Sequence, residues 1–203
     1  MNEQIEENVV NIRDFQEGDE LTIHHMNSES ESIKEWTTTM KVGGVFTYEH
    51  VRDGEVIDTW VEPNLVVDEG LNYILDSAMS GATTLTTWYI SLFKNNYTPI
   101  FSDTAAAFPG AGVANEATTE YTEANRPTWV EAGVTSKTIT NTLSPAVFTF
   151  GTPITIYGAF LVSTNVKGGT TGKLAAASKF TSSRAMLAND VLNVTYTLTI
   201  SSV

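Results

Sequence analysis

Leu192-Asn-Val-Thr-Tyr-Thr-Leu-Thr-Ile200 decides the fold. Leu192, Val194, Tyr196, Leu198 and Ile200 fall on one side of an extended chain, and Asn193, Thr195, Thr197 and Thr199 on the other. A period of two, apolar against polar, is the pattern of a strand with one face on a core and one on water. Working outward, the same grammar recurs. Lys173–Thr181 reads as an alanine-rich strand, reached through a glycine-rich turn at Asn165–Gly172. In Ile154–Ser163, residues Ile154, Ile156, Gly158, Phe160 and Val162 alternate with their neighbours, and Ala146–Phe150 reads as a further strand. Thr135–Asn141 and Trp129–Glu131 are shorter candidates, and Thr118–Arg126 reads as an edge segment closed by Pro127.

Nearer the N-terminus, Val45-Phe-Thr-Tyr-Glu-His-Val51 and Glu55-Val-Ile-Asp-Thr-Trp-Val61 flank Asp53-Gly54. Asp-Gly between two β-rich runs predicts a hairpin, because a primed turn needs positive φ at both central residues. Pro63 ends the second strand. One segment breaks the rule of two. Leu71, Ile74, Leu75, Ala78 and Met79 recur at helical spacing, with Asp68 as candidate N-cap and Gly81 as candidate stop. This predicts one helix, over about 68–80, whose Leu71, Ile74 and Leu75 cover an opening of the strands. From Trp88 the period returns to two, with Ile90 and Leu92 beside Trp88 and with Tyr89, Ser91 and Phe93 opposite. Lys94 to Glu116 then runs without periodicity through Asn95-Asn96, Pro99 and Ala105–Gly112. A connection that long inside a compact domain is commonly functional or flexible.

Eight to ten short strands, and thirty threonines suited to a pleated surface, give an all-β fold. It is read as an antiparallel β-sandwich of jelly-roll type with a single short helix.

Residues 1–36 differ from the rest. They carry ten acidic and two basic side chains, a net of −8 out of −13 for the chain, and include the polar tract Asn27–Ser32. A segment so polar does not fold alone, so 1–38 is read as an acidic arm and 39–203 as the sandwich domain. Within the arm Phe15, Leu21, Ile23 and Trp36 are the apolar residues expected to make contacts on assembly. With no cysteine, disulfides and thiolate metal sites are excluded. No apolar run approaches the roughly 20 residues of a membrane span. The start, Met-Asn-Glu-Gln-Ile-Glu-Glu, lacks the basic and apolar regions of a signal peptide, so synthesis in the cytoplasm without processing is expected. Acidic charge without a Lys/Arg cluster argues against nucleic-acid binding.

A search for chemistry finds little. His24 and His25 are adjacent and so point apart on an extended chain, and His50 stands in a strand. Lys167–Lys173 mimics a phosphate loop but has Lys where the first glycine belongs and Leu174 after the lysine, and it lies between strands; it is read as a turn. Asp53, Glu55, Asp58, Glu62, Asp68 and Glu69 have plain roles as turn, strand-face and helix-start residues. Trp88, Tyr89, Tyr97, Tyr121 and Trp129 could flank a carbohydrate site, though core packing is their commoner fate. No nucleophile–base pair can be assembled, so neither enzymatic activity nor a cofactor or metal is expected.

The order of the structural segments carries more information. Gly44-Val-Phe leads through the hairpin to Pro63-Asn-Leu-Val-Val-Asp-Glu-Gly-Leu71. Then come Trp88-Tyr-Ile-Ser-Leu-Phe93, Glu120-Tyr-Thr-Glu-Ala-Asn-Arg-Pro-Thr-Trp129, Tyr157-Gly-Ala-Phe-Leu161 and Val194-Thr-Tyr-Thr-Leu-Thr199. This resembles a group of tailed-bacteriophage virion proteins described as capsid decoration (cement) or head-fibre-like proteins. The likeness covers about residues 40–203 and leaves out the arm. It implies a structural virion protein that binds the outer surface of a capsid through the major capsid protein and itself, and it supplies no catalytic residues. A homotrimer is expected, since it matches the threefold positions of a capsid. The alternative is a tail or head-fibre component, acting as an adaptor or as a receptor- or glycan-binding module.

Overall fold

The computed structural model describes residues 39–202. Phe15, Leu21, Ile23, Trp36, His24 and His25 lie outside the described residues.

The predicted hairpin is present as β1 (Met40–Arg52) and β2 (Glu55–Pro63), paired antiparallel from Val45↔Pro63 to Arg52↔Glu55. Asp53 and Gly54 take φ of 52° and 84°, the two positive values that the primed turn requires. After β3 (Leu65–Val66) comes α1 (Asp68–Leu75), continued by a π-helical turn at Asp76–Ser80 and ended by Gly81 at φ 71°. Six further residues lead to β4 (Trp88–Phe93). The remaining strands are β5 (Thr128–Trp129), β6 (Thr138–Thr140), β7 (Ala146–Thr149), β8 (Ile154–Val162), β9 (Leu174–Met186) and β10 (Val191–Ser202).

They form two five-stranded sheets, in which β1–β2, β10–β6, β10–β7, β3–β9, β4–β5, β4–β8 and β8–β9 pair antiparallel. The first runs β2-β1-β10-β6, with β7 paired to the other half of β10; the second runs β3-β9-β8-β4-β5. The fold is the expected all-β sandwich. The first and last described strands, β1 and β10, are neighbours, and each sheet holds five strands. Lys41–Ser201 form one compact unit.

The sandwich core lies between the sheets. Phe46, Tyr48 and Trp60 from the hairpin, Phe148 from β7, and Leu192, Val194 and Tyr196 from β10 meet Ile90, Leu92, Ile156, Leu161 and Phe180 of the second sheet. Aromatic pairs fill much of it: Phe46 and Tyr196 at 4.4 Å, Tyr48 stacked on Trp60 at 4.9 Å, and Phe180 edge-on to Tyr48 at 4.8 Å.

A second core lies on the other face of the second sheet. Phe93, Phe160, Val162, Leu174 and Ala177 pack there against Ala105, Phe108 and Ala114 of the long connection. The segment 94–116 is thus the cover of a sheet buried on both sides. That is why β4 ends on four consecutive buried residues, Ile90 to Phe93, where a half-exposed strand would alternate.

Three expectations are corrected. Leu71 packs against the sandwich core, but Leu75 and Met79 are 54% and 83% exposed, so only the start of the helix's apolar stripe meets the strands. It is seated by Gly70, where a Cβ would stand 2.3 Å from the carbonyl oxygen of Ala175. Asp68 is the first helical residue rather than the N-cap, which is Val67. The alternation of β8 is broken by a register shift between Ile156 and Gly158, so Ile156 enters the sandwich core while Phe160 and Val162 enter the second.

Candidate functional site

Several contacts that hold the fold together join segments quoted above as carrying the resemblance. Gly44 lies so close to β10 that a Cβ would be 2.2 Å from the Thr197 carbonyl oxygen. Its own carbonyl accepts the Asn64 N–H at 3.1 Å, and Asn64 Nδ2 donates to the Tyr196 hydroxyl at 3.2 Å. Trp129 Nε1 donates to the Tyr196 carbonyl at 3.1 Å, tying the two sheets, and Trp129 is paired with Trp88 in the β4–β5 register. Gly158 faces Phe93, with a hypothetical Cβ 2.3 Å from the ring.

At the centre is a buried ion pair. Arg126 Nε donates to Glu116 Oε1 at 2.7 Å and Nη2 to Oε2 at 2.6 Å, with neither side chain exposed. Nη1 donates to the Thr164 carbonyl and Nη2 also to that of Gly169, both at 3.0 Å. Glu116 further accepts the Ser91 hydroxyl at 2.5 Å and the Gly168 N–H at 2.7 Å. Desolvation makes buried charges costly unless partners are complete, and here they nearly are. The pair joins β4, the covering segment and the β8–β9 turn. Sequence reasoning missed it, having placed Glu116 at a loop end and Arg126 in an edge strand. Its one signal was an arginine set between apolar-flanking Pro127 and a polar run in a chain with only 11 basic residues.

Nearby, the Lys94 ammonium donates to Glu120 at 2.6 Å. Burial alone would raise the Glu120 carboxyl, but Lys94 and the N–H groups of Thr119 and of Glu120 itself outweigh it and hold it below its ordinary value. Lys167 lies 3.7 Å from the Tyr121 ring centre and donates to the Tyr121 carbonyl; burial holds its ammonium below the usual range. The Lys167–Lys173 segment is the turn expected, with Gly168 and Gly172 at φ 71° and 91°.

Several of the residues weighed for chemistry have protein partners. His50 Nε2 contacts Asp190 Oδ2 at 2.8 Å, and Arg52 makes a two-bond fork to the same carboxylate at 2.7 Å. The Arg52 fork is the largest influence holding the Asp190 carboxyl well below the usual carboxylate range. Asp53 sits in the turn, Asp58 faces Arg184 at 3.2 Å, and Glu62 accepts from the Thr181 N–H and hydroxyl. Glu69 Oε2 accepts the N–H groups of Ala105 and Leu174, both at 2.8 Å. Asp103 accepts the Tyr97 hydroxyl and the Ile100 N–H, also at 2.8 Å. Burial first, and then the bond to Asp103, push the Tyr97 phenol up to about 12.

The concave feature of interest is a groove of about 540 Å³ beside α1. The helix lines it with Asp68, Asn72, Tyr73 and Asp76, the covering segment with Phe101–Thr104, and the chain before β4 with Thr83 and Leu85. Of the aromatic residues singled out in the sequence, none lines it, and Trp88 stands behind Tyr73 with ring centres 5.3 Å apart.

No known protein family matches the chain, and no curated protein matches it. No helix among the described residues is long and apolar enough to cross a membrane.

Proposed function

We propose that the chain is a structural virion protein of a tailed bacteriophage, which binds the outer surface of the capsid and stabilises it as a decoration protein. One observation carries the reading. The separated segments that resemble phage virion proteins meet as one tied framework: Gly44 with Asn64 and Tyr196, Trp88 with Trp129, Gly158 with Phe93, and Arg126 with Ser91 through the carboxylate of Glu116, a residue outside those segments. Residues that contact one another across the fold are what a shared architecture preserves, so their common order in the chain is a signature of architecture. Function then lies on the surfaces the framework presents.

One surface suits a passive shell contact. The face of the first sheet turned from the core carries Val45, Thr47, Ile57, Thr59 and Val61, all exposed, beside Glu49, whose carboxylate accepts from Asn193 at 2.9 Å. Beside it Thr140 bonds Thr197 at 2.8 Å and Thr138 bonds Thr199 at 3.1 Å, across β6 and β10. Such a layer, repeated in many copies, holds firmly even where one contact is weak. The partners are the major capsid protein and two further copies of the chain in a trimer. The acidic arm, with Phe15, Leu21, Ile23 and Trp36, supplies attachment.

Adding the purified protein to bare capsids tests this. It should co-sediment with them and raise their melting temperature, and light scattering should give the mass of a trimer. A monomer that leaves capsids unchanged would refute the reading. A particle reconstruction with the density on a tail or fibre would replace it by the adaptor alternative.

A further inference from the structure

The groove beside α1 has the composition and construction of a ligand site, and we propose that it binds a neutral oligosaccharide. Its walls are fixed before any ligand arrives. The Tyr73 hydroxyl accepts the Leu85 N–H at 2.7 Å, and the Phe101 carbonyl accepts the Asp68 N–H at 3.0 Å. Asp103 and Glu69 are each held by two donors, as described above. A site already in its bound shape loses little entropy on binding.

What these bonds leave open is informative. Phe101 is 55% exposed, although Phe93, Phe108 and Phe160 close by are fully buried. A phenyl ring kept at a groove wall is a platform for the C–H face of a sugar ring. Asp68, Asn72 and Asp76 follow one another at four-residue spacing along the exposed side of the helix, over about 12 Å. Neither the Asp68 carboxylate nor the Asn72 amide has a hydrogen-bond or ion-pair partner among the described residues. Acceptor, donor-acceptor and acceptor in a row, with the hydroxyls of Ser102 and Thr104 on the other wall, match the vicinal hydroxyls of linked sugars, each of which both gives and takes a proton.

The groove offers acceptors and a charged donor together. Glu69 and Asp103 are already engaged by protein N–H and O–H groups, which leaves Asp68 and Asp76 to accept, and Lys173 places its ammonium in the groove, 3.7 Å from Glu69. A neutral hydroxyl ligand can donate to the former and accept from the latter, and a cationic peptide is the competing occupant that the test must separate.

The inference does not depend on the capsid reading, and its test uses the isolated full-length chain. Tetrasaccharides of glucose, galactose, mannose and N-acetylglucosamine are titrated calorimetrically and by tryptophan emission, which Trp88 behind Tyr73 should report. At least one should bind saturably with Kd of about 1 mM or tighter. Phe101→Ala and Asn72→Ala, both at exposed positions, should each weaken it roughly tenfold without loss of thermal stability. Met79→Ala, outside the groove, should change nothing. The proposal is overturned if none of the four sugars binds, or if binding is the same in the two groove variants. It is also overturned if oligolysine alone binds and loses affinity on Asp68→Asn. Capsid addition would be untouched by any of these failures.

Discussion

Arg126 and Glu116 form a two-bond fork at 2.7 and 2.6 Å in which neither side chain is exposed. Removing one partner leaves the other charge buried and unpaired, which costs about 3–5 kcal/mol, whereas replacing both by apolar groups of similar volume costs much less. Arg126→Ala should therefore lower Tm by roughly 10 °C. The double variant Arg126→Met with Glu116→Leu should recover part of that loss, which calorimetry would show. Equal melting of the single variant and the parent would deny the pair its structural role.

Asp190 makes stability depend on acid. Its folded carboxyl titrates below the unfolded value of about 3.9, chiefly because of the Arg52 fork. The stabilisation is thus complete above about pH 4 and lost as pH falls through the folded value. Asp190→Asn should cost about 1–3 kcal/mol at neutral pH, a discounted figure because Arg52 is partly exposed. The gap between variant and parent should narrow below pH 4. Urea unfolding across pH 2.5–7 measures both; a gap that stays constant would contradict the linkage.

Two glycines predict opposite outcomes from neighbouring positions. A Cβ at Gly44 would stand 2.2 Å from a backbone oxygen of β10, whereas one at Gly43 would meet nothing within 4 Å. Gly44→Ala should destabilise by about 1–3 kcal/mol or more, since backbone cannot step aside cheaply. Gly43→Ala, in a strand, should be neutral or mildly stabilising. Chemical denaturation of the two variants side by side decides it.

These cases show which parts of the fold could be read from sequence. The Asp53-Gly54 turn, the alternation of β10 and the stop at Gly81 were legible because each depends on a few adjacent residues. Glu116 and Arg126 were not, because their meaning arises from Ser91, Gly168 and Gly169, far away in the chain. The bulge at Ile156/Gly158 was hidden for a similar reason: Phe160 and Val162 look like a continuation of Ile156 until β9 sets the register. Leu75 and Met79 misled, since helical spacing says which residues share a face but not what that face meets. The groove was only half visible. Asp68 stood out as a carboxylate, but Phe101 gave no local sign of remaining exposed.

The covering segment offers the last test. Phe108 is fully buried, edge-on to Phe93 at 5.6 Å and to Phe160 at 5.2 Å, and its backbone N–H bonds the Thr104 carbonyl. It is the largest fully buried side chain that 94–116 sends into the second core. Phe108→Ala would leave a cavity and cost about 3–5 kcal/mol if the loss were global. The segment is not a strand of either sheet, so its opening need not unfold the sandwich, and part of the loss should be local. Hydrogen exchange is expected to speed up in 94–116 and at Phe93 and Phe160, while the amides of β1 and β10 keep their protection. If all amides accelerate equally, the cover and the sandwich unfold as one unit, and the two cores act as a single cooperative structure.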